Sequence, residues 1–383
     1  MNVTVPSKSI LAPEDQSVTF VELFFDLVFV FAVTQITLLL HEHFDNKHLL
    51  QATLIFWLIW WSWQQFTWAL NTIDTTNVYV EFLILLSTAI AFFMAVAIPE
   101  AFDGRGILFA TTYIVTRIIG LSLQFKVSDE LGQREMVKRW ASLSAIGLAF
   151  VIIGALIGGN SQFVFWAIAL IFDLTAATTS AQETWTINTD HMTERHGLII
   201  IIALGESLIV AAAGLIDHEL NTDLLIVGAI SVLLTCSLWW SYFIKPKPEL
   251  ERAMELTVGA ERAVMTRDAF SLAHFPMVAG IIGFALAIEE AIAHPEKSLS
   301  TDGTLALAFG LALFIGGTVL AVWRATGKIL YQRIIFVILT FFLILNDLLP
   351  ISEILMALIL LVLTLATEHI GFINDGSEEA KIT

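Results

Sequence analysis

Apolar stretches of about 20 residues, separated by short polar segments, make up most of this sequence. A helix of that length spans the hydrocarbon core of a bilayer. Hydrophobic residues form 57% of the chain and charged residues only 14%, whereas soluble domains have about 25% charged residues. The sequence therefore predicts an all-α, polytopic membrane protein, in which each spanning helix satisfies its own backbone hydrogen bonds.

Twelve such stretches give a consistent topology. If both termini are cytoplasmic, fifteen of the 19 Lys and Arg residues fall on the inner side and three on the outer side, while Arg117 lies within a span. The positive-inside rule therefore favours twelve transmembrane helices with both termini in the cytoplasm. The predicted spans are 20–40, 49–70, 79–98, 106–125, 140–158, 162–180, 197–215, 223–243, 268–291, 304–323, 333–347 and 350–369.

The second half of the sequence resembles the first. The run WWSW at 60–63 returns as WWSY at 239–242, and AIPEA at 97–101 returns as AIEEA at 287–291. An even number of spans in each half gives both halves the same orientation, so we predict two parallel six-helix repeats. The predicted parts are a cytoplasmic N-terminal segment 1–19, the first repeat 20–180, a linker 181–196, the second repeat 197–369 and a cytoplasmic C-terminal tail 370–383.

Charge and composition exclude several kinds of partner. The net charge of −17 argues against nucleic acid, and the single Cys236 has no internal disulfide partner. His191, Glu194 and His196 are metal-ligand types, but their spacing matches no standard site. We therefore expect no metal and no cofactor.

Ionisable residues inside the predicted spans are costly, so each needs a partner or a purpose. Glu22 and Asp26 are four residues apart on one helical face, where two like charges repel. Either one is protonated or a cation lies between them. Arg117 is too central to reach the interface, so we predict that it pairs with Asp26, Asp173 or Glu206.

Three further positions are candidates for a functional site. Asp173 lies in the apolar sixth span and Glu206 in the seventh, where Glu206 corresponds to Asp26 in the repeat. His274 precedes Pro276, which predicts a kink, and it is either a proton relay or a satisfied core residue. The alternative for the carboxylates is a purely structural role as buried acids.

The second span is unusually aromatic. Trp57 and Trp61 share a face with Gln64 and Gln65 close by. These four residues either fill the bundle core or line a pocket for an amphipathic or cationic ligand.

Three stretches together resemble one protein family. They are VELFFDLVFV at 21–30, ERHGL at 194–198 running on to LGES at 204–207, and HFPMVAGI at 274–281. These motifs are similar to those of the bacterial low temperature requirement A family, which is named for a growth phenotype in the cold. The resemblance implies a multi-pass protein of the bacterial inner (plasma) membrane. It marks as motif positions, without assigning them roles, Glu22, Asp26, Arg195, Glu206 and His274.

Three function classes remain open. A proton- or ion-coupled secondary transporter is favoured by the repeat and by the matched carboxylates. The alternatives are a channel or lipid-handling protein, and a membrane sensor or scaffold whose buried charges are structural. The sequence has no soluble-enzyme motif, so we expect no enzymatic activity. We expect membrane lipids and a small-molecule or ion substrate as partners, while substrate and oligomeric state stay open.

Overall fold

The computed structural model describes residues 10–42, 45–180, 184–217, 219–343 and 348–382. Within these ranges the chain is helical, apart from loops and an isolated β-bridge between Leu11 and Ile73. A π-helical segment, Thr266–Leu272, leads into α11. The helices are α1 Phe20–Glu42, α2 Asn46–Leu70, α3 Val78–Val96, α4 Gly106–Ser128, α5 Arg134–Ile157, α6 Gly159–Ser180, α7 Thr189–Asp217, α8 Thr222–Phe243, α9 Pro246–Leu256, α10 Gly259–Met265, α11 His274–Ala293, α12 Thr301–Thr326, α13 Tyr331–Thr340 and α14 Pro350–Ile382.

Ten stretches of helix in the described ranges are long and apolar enough to cross a membrane. They coincide with ten of the twelve predicted spans, all but the second and the eleventh. The prediction of an all-α membrane protein is therefore confirmed in its coarse form. By length and composition, the described helices support ten of the twelve predicted crossings.

The two remaining predicted spans differ from the others for separate reasons. In α2, seventeen of the 25 residues are buried, and its Trp and Gln side chains lower its hydropathy. A helix buried on all sides is an interior helix. The helix α13 has ten residues, about 15 Å in length. The last residues of the predicted eleventh span, 344–347, lie outside the described residues.

The segments between and beyond the predicted repeats are partly helical. The helix α7 begins at Thr189, within the predicted linker 181–196, of which residues 181–183 lie outside the described residues. The helix α14 continues to Ile382, through the predicted C-terminal tail. Of the predicted N-terminal segment, residues 1–9 lie outside the described part.

The chain divides into two compact units. The first unit contains residues 1–35, 50–195 and 258–264, and the second contains residues 36–49, 196–257 and 265–383. In the first unit α5 packs along α6, where the Trp166 indole donates to the Val151 carbonyl over 2.9 Å. A Cβ at Gly154 would lie 3.0 Å from the Trp166 ring. Glycine at this position therefore allows the close approach of these two helices.

The second unit is built on the close contact of α11 and α12. A Cβ added at Gly280 would lie 2.5 Å from the Gly310 carbonyl oxygen, and one at Gly283 would lie 3.0 Å from the Ala306 carbonyl oxygen. These glycines therefore allow the two helices to approach closely. Pro276 lies in the first turn of α11, where its missing N–H costs nothing. The interruption of this helix is the π-helical segment before it.

Candidate functional site

Arg195 joins two carboxylates of α1 in the first unit. Its Nη1 lies 2.6 Å from Glu22 Oε2 and its Nη2 lies 2.7 Å from Asp26 Oδ1. All three side chains are fully buried. Of the two alternatives for Glu22 and Asp26, the structure has a cation between them, and this cation is the Arg195 guanidinium. Arg195 falls in the predicted linker 181–196, whereas in the structure it lies buried in α7.

The Glu22 carboxylate has both oxygens hydrogen-bonded. Its Oε1 accepts from the Thr19 N–H over 3.1 Å and from the Thr19 hydroxyl over 3.0 Å. Its Oε2 accepts from His191 Nε2 over 3.0 Å, in addition to the bond from Arg195. Thr19 and Glu22 occupy the N-cap and N3 positions of α1, so Glu22 closes the helix end as in a capping box. Their T-x-x-E spacing was a sequence signal for this role that sequence analysis missed.

The hydrogen bonds around His191 assign its tautomer. Its Nδ1 lies 3.4 Å from Asn71 Nδ2. The Asn71 amide is fixed because Nδ2 donates to the Asn188 carbonyl and Oδ1 accepts from the Asn188 N–H, both over 2.8 Å. The His191 Nδ1 is therefore an acceptor, and its Nε2–H donates to Glu22.

Asp26 differs from Glu22 in that only one of its carboxylate oxygens is hydrogen-bonded to the described residues. Its Oδ1 accepts from both Arg195 Nη2 and Trp63 Nε1, each over 2.7 Å. Its Oδ2 is buried and accepts no hydrogen bond from the described residues. Two carboxylates thus face one guanidinium, and a buried unpartnered acceptor is costly. A proton or a small cation at Oδ2 would remove both the excess charge and the missing bond.

Arg117 pairs with Asp173, which is one of its three predicted partners. Its Nη2 lies 3.1 Å from Asp173 Oδ1, and its Nη1 lies 3.4 Å from Oδ2. Nη1 also donates to the Tyr113 hydroxyl over 2.5 Å, and Nη2 to the Ser144 hydroxyl over 3.4 Å. The prediction that Arg117 forms a buried ion pair is confirmed. Unlike the Arg195 cluster, this pair holds one cation and one anion.

The predicted aromatic and polar residues of α2 lie in the interior of the protein. Trp57 and Trp61 stack with ring centroids 5.2 Å apart. Gln65 Nε2 donates to the Arg117 carbonyl over 2.9 Å, and Gln64 is 2% exposed. These contacts match the core-filling interpretation of the second span.

His274 is hydrogen-bonded at both ring nitrogens in the second unit. Its Nδ1 lies 2.9 Å from the Ala269 carbonyl oxygen, and its Nε2 lies 2.8 Å from the Tyr242 hydroxyl. Since a carbonyl only accepts, Nδ1 bears the proton and Tyr242 donates to Nε2. The ring also stacks on Phe270 at 5.5 Å. Of the two interpretations, this geometry matches the satisfied core histidine.

Glu206 is buried in α7, with 3% of its surface exposed. It belongs to the second unit, whereas Asp26 belongs to the first. The structure brings Glu22 and Asp26 together, and separately Arg117 and Asp173. That Glu206 corresponds to Asp26 in a repeat stays a prediction.

A third buried arginine is paired in the second unit. Arg333 binds Glu368 through two parallel bonds, Nε to Oε1 over 2.8 Å and Nη2 to Oε2 over 3.0 Å. Nη1 donates to the Thr318 hydroxyl and Nη2 to the Ser241 carbonyl, both over 2.8 Å. Arg333 is the first residue of the predicted eleventh span 333–347, and it is 1% exposed in α13. Its need for a partner, and an acid near the end of an apolar helix at Glu368, were the available signals.

Comparison with known proteins places most of the chain in one group. The family model described as bacterial low temperature requirement A protein (LtrA) matches residues 17–367. The uncharacterized protein RA0937 of Rhizobium meliloti (strain 1021) is 31% identical over 315 residues, which cover 78% of this chain and 76% of that protein. No solved structure matches the chain. The matched range contains the Arg195 cluster, the Arg117 pair and Arg333, and the chain belongs to the bacterial low temperature requirement A family.

Proposed function

We propose that this protein is a proton- or cation-coupled secondary transporter, with Asp26 and Arg195 as its coupling site. The observation behind the proposal is the buried Asp26 Oδ2, which accepts no hydrogen bond from the described residues. The cluster around it has two carboxylates for one guanidinium. A buried excess charge is unfavourable, so the cluster favours uptake of one positive charge.

Uptake of a proton at Asp26 would change the contacts between two helices. While ionised, Asp26 attracts Arg195 Nη2 at 2.7 Å and so ties α1 to the beginning of α7. Once protonated, Asp26 loses its charge, and Arg195 keeps Glu22 as its only anionic partner in the cluster. An arrangement of α1 and α7 that keeps the bond between Asp26 and Arg195 then differs in proton affinity from an arrangement without it. Binding of the coupling ion would therefore shift the population from one arrangement to the other.

The other buried pair of the first unit fits a structural role. Arg117 and Asp173 carry equal and opposite charges, and both Asp173 oxygens face guanidinium nitrogens. A balanced pair of this kind has no excess charge for an ion to neutralise. The Arg117 pair therefore serves as a control for the Asp26 site. For the Arg117 pair itself we propose a structural role.

For the topology we propose twelve crossings with both termini in the cytoplasm. The helix α2 is about 37 Å long, more than the roughly 30 Å hydrocarbon core. Arg333 and Glu368 are bonded, although α14 advances about 27 Å between Pro350 and Glu368. The chain from Arg333 to Pro350 must therefore cover the same distance in the opposite direction. Both observations support counting α2 and the α13 segment as the second and eleventh spans.

The parallel repeat and the cellular location belong to the same proposal. The WWSW run in α2 and the WWSY run in α8 support two repeats of the same orientation. Membership of a bacterial membrane family supports an inner-membrane location. We propose that its partners are lipids and a small solute or ion. We propose no enzymatic activity.

The test is transport by the purified full-length chain in liposomes that contain a pH-sensitive dye. A panel of solutes is added to one side of an imposed pH gradient, and proton movement is followed. Asp26→Asn keeps an acceptor oxygen for Trp63 and Arg195 but removes the titratable group, so we expect solute-linked proton movement to be lost. Asp173→Asn is the matched control, and its flux per folded molecule should persist.

A second measurement does not need the substrate. Infrared difference spectra, recorded as the pH is lowered, should contain a protonated-carboxyl band that disappears in Asp26→Asn and remains in Asp173→Asn. Wild-type flux in Asp26→Asn would refute Asp26 as the coupling site. If the wild type moves no proton with any solute and its spectra lack the band, the scaffold interpretation replaces transport.

A further inference from the structure

A groove lies between α8 and α14 in the second unit, and its volume is about 800 Å³. At one end it is bounded by Lys245, by His369 and by the Arg333–Glu368 pair. Away from that end its walls are apolar, with Leu233 on α8 and Val362 on α14. Cys236, Ser237 and Ala366 are the small side chains that leave this space open. The groove thus has one polar end and one apolar end.

The dimensions of the groove match one leaflet of a bilayer. Along α8 the distance from Leu233 to Lys245 is about 18 Å. One leaflet contributes about 15 Å to the hydrocarbon core. Leu233, Trp240 and Val362 are all more than a third exposed, so the groove is open along its length. An extended acyl chain with its headgroup at Lys245 would fit this length.

The charges at the polar end of the groove favour an anion. Both Glu368 oxygens are bonded to Arg333, whose remaining donors reach Thr318 and Ser241. This pair therefore offers neither a free anion nor a free cation. Lys245 lies at the same end of the groove. Because the charges of Arg333 and Glu368 cancel each other, Lys245 gives this end a net positive charge.

We propose that this groove binds one anionic phospholipid, with an acyl chain between α8 and α14 and the phosphate at Lys245. His369 lies at the same end and would donate a further hydrogen bond to the phosphate. Trp240, 55% exposed, lies one to two turns from Lys245, near the level that indole rings prefer in membranes. Basic pockets between helices are sites for anionic headgroups. The proposal is independent of the transport function.

The test uses two photoactivatable lipids in proteoliposomes of the full chain. Phosphatidylglycerol and phosphatidylcholine each carry a diazirine in one acyl chain, and mass spectrometry maps the crosslinked peptides. We expect phosphatidylglycerol to label segments 233–237 and 362–366 about fivefold more than phosphatidylcholine, as one lysine near the membrane surface allows. The outward face of α3, where Phe82 is 60% exposed, should be labelled equally by both lipids.

Three variants distinguish a site from general lipid contact. Lys245→Gln should abolish the preference for phosphatidylglycerol, and Ala366→Phe should reduce labelling of the groove by both lipids. Lys328→Gln is the control, because Lys328 is an exposed lysine that pairs with Glu249 at 3.0 Å away from the groove. Size-exclusion chromatography confirms that each variant is folded. Equal labelling of the groove by both lipids in the wild type, or an unchanged preference in Lys245→Gln, would overturn the proposal.

Discussion

Removal of one member of the Arg117–Asp173 pair should destabilise the protein far more than removal of both. Arg117 is completely buried, and the side chain of Asp173 is 4% exposed. Arg117→Leu leaves the Asp173 carboxylate buried without its cation, and Asp173→Leu leaves the guanidinium without its anion. The double variant Arg117→Leu/Asp173→Leu leaves neither charge in the interior.

The geometry gives the size of the expected effect. At the 3.1 Å separation of the charged atoms, the attraction is about 5 kcal/mol for an effective dielectric constant of about 20. Loss of one partner of a buried pair costs about 3–5 kcal/mol, whereas replacing both by apolar side chains is often close to neutral. We therefore expect the double variant to lie within about 2 kcal/mol of the wild type. The coupling energy between the two positions should be at least about 3 kcal/mol.

The assay is reversible unfolding by SDS in mixed micelles, followed by fluorescence, for the wild type, both single variants and the double variant. The matched control is the Arg105–Glu100 pair, which has the same 3.1 Å separation but side chains 42% and 51% exposed. Its coupling energy should be about 0.2–1 kcal/mol. Additive losses at Arg117 and Asp173, with a coupling below about 0.5 kcal/mol, would refute the reasoning that burial makes this pair indispensable.

Three further predictions concern other parts of the chain. Gly280→Ala places a Cβ 2.5 Å from a backbone oxygen of α12 and should lower the free energy of unfolding in SDS by about 1–3 kcal/mol. The control Gly316→Ala, with no neighbour closer than 3.9 Å, should be neutral or stabilising. Equal losses of stability in the two variants would contradict the packing argument. Tyr242→Phe removes the donor to His274 Nε2 and should lower stability by about 1–3 kcal/mol; an unchanged thermal midpoint would show that this bond is dispensable. Asp45 precedes α2, and the backbone N–H of His48 holds the pKa of its carboxyl below the ordinary 3.8. The ionised carboxylate of Asp45 therefore stabilises the fold at pH values above its ordinary pKa, and this stabilisation is lost as the pH falls through the lowered pKa. The stability advantage of the wild type over Asp45→Asn should therefore shrink on acidification. A pH-independent difference between the two proteins would contradict this.

The sequence by itself determined the class of structure, because hydropathy is a local property. Ten apolar segments were placed where the structure has ten long apolar helices, and three motifs pointed to the family that the comparisons established. Helical periodicity placed Glu22 and Asp26 on one face. The cost of a buried guanidinium required a partner for Arg117. Each of these inferences depends only on neighbouring residues or on the membrane as solvent.

Only the tertiary structure decided which groups meet. Asp173 rather than Asp26 pairs with Arg117, because the rotation and depth of packed helices select the partner. Arg195 and Arg333 each lie close to the end of a predicted span, and each is buried against an acid distant in sequence. The excess carboxylate at Asp26 became visible only once every donor around the cluster was counted. Long-range packing, which the sequence pattern does not encode locally, therefore defines the candidate site.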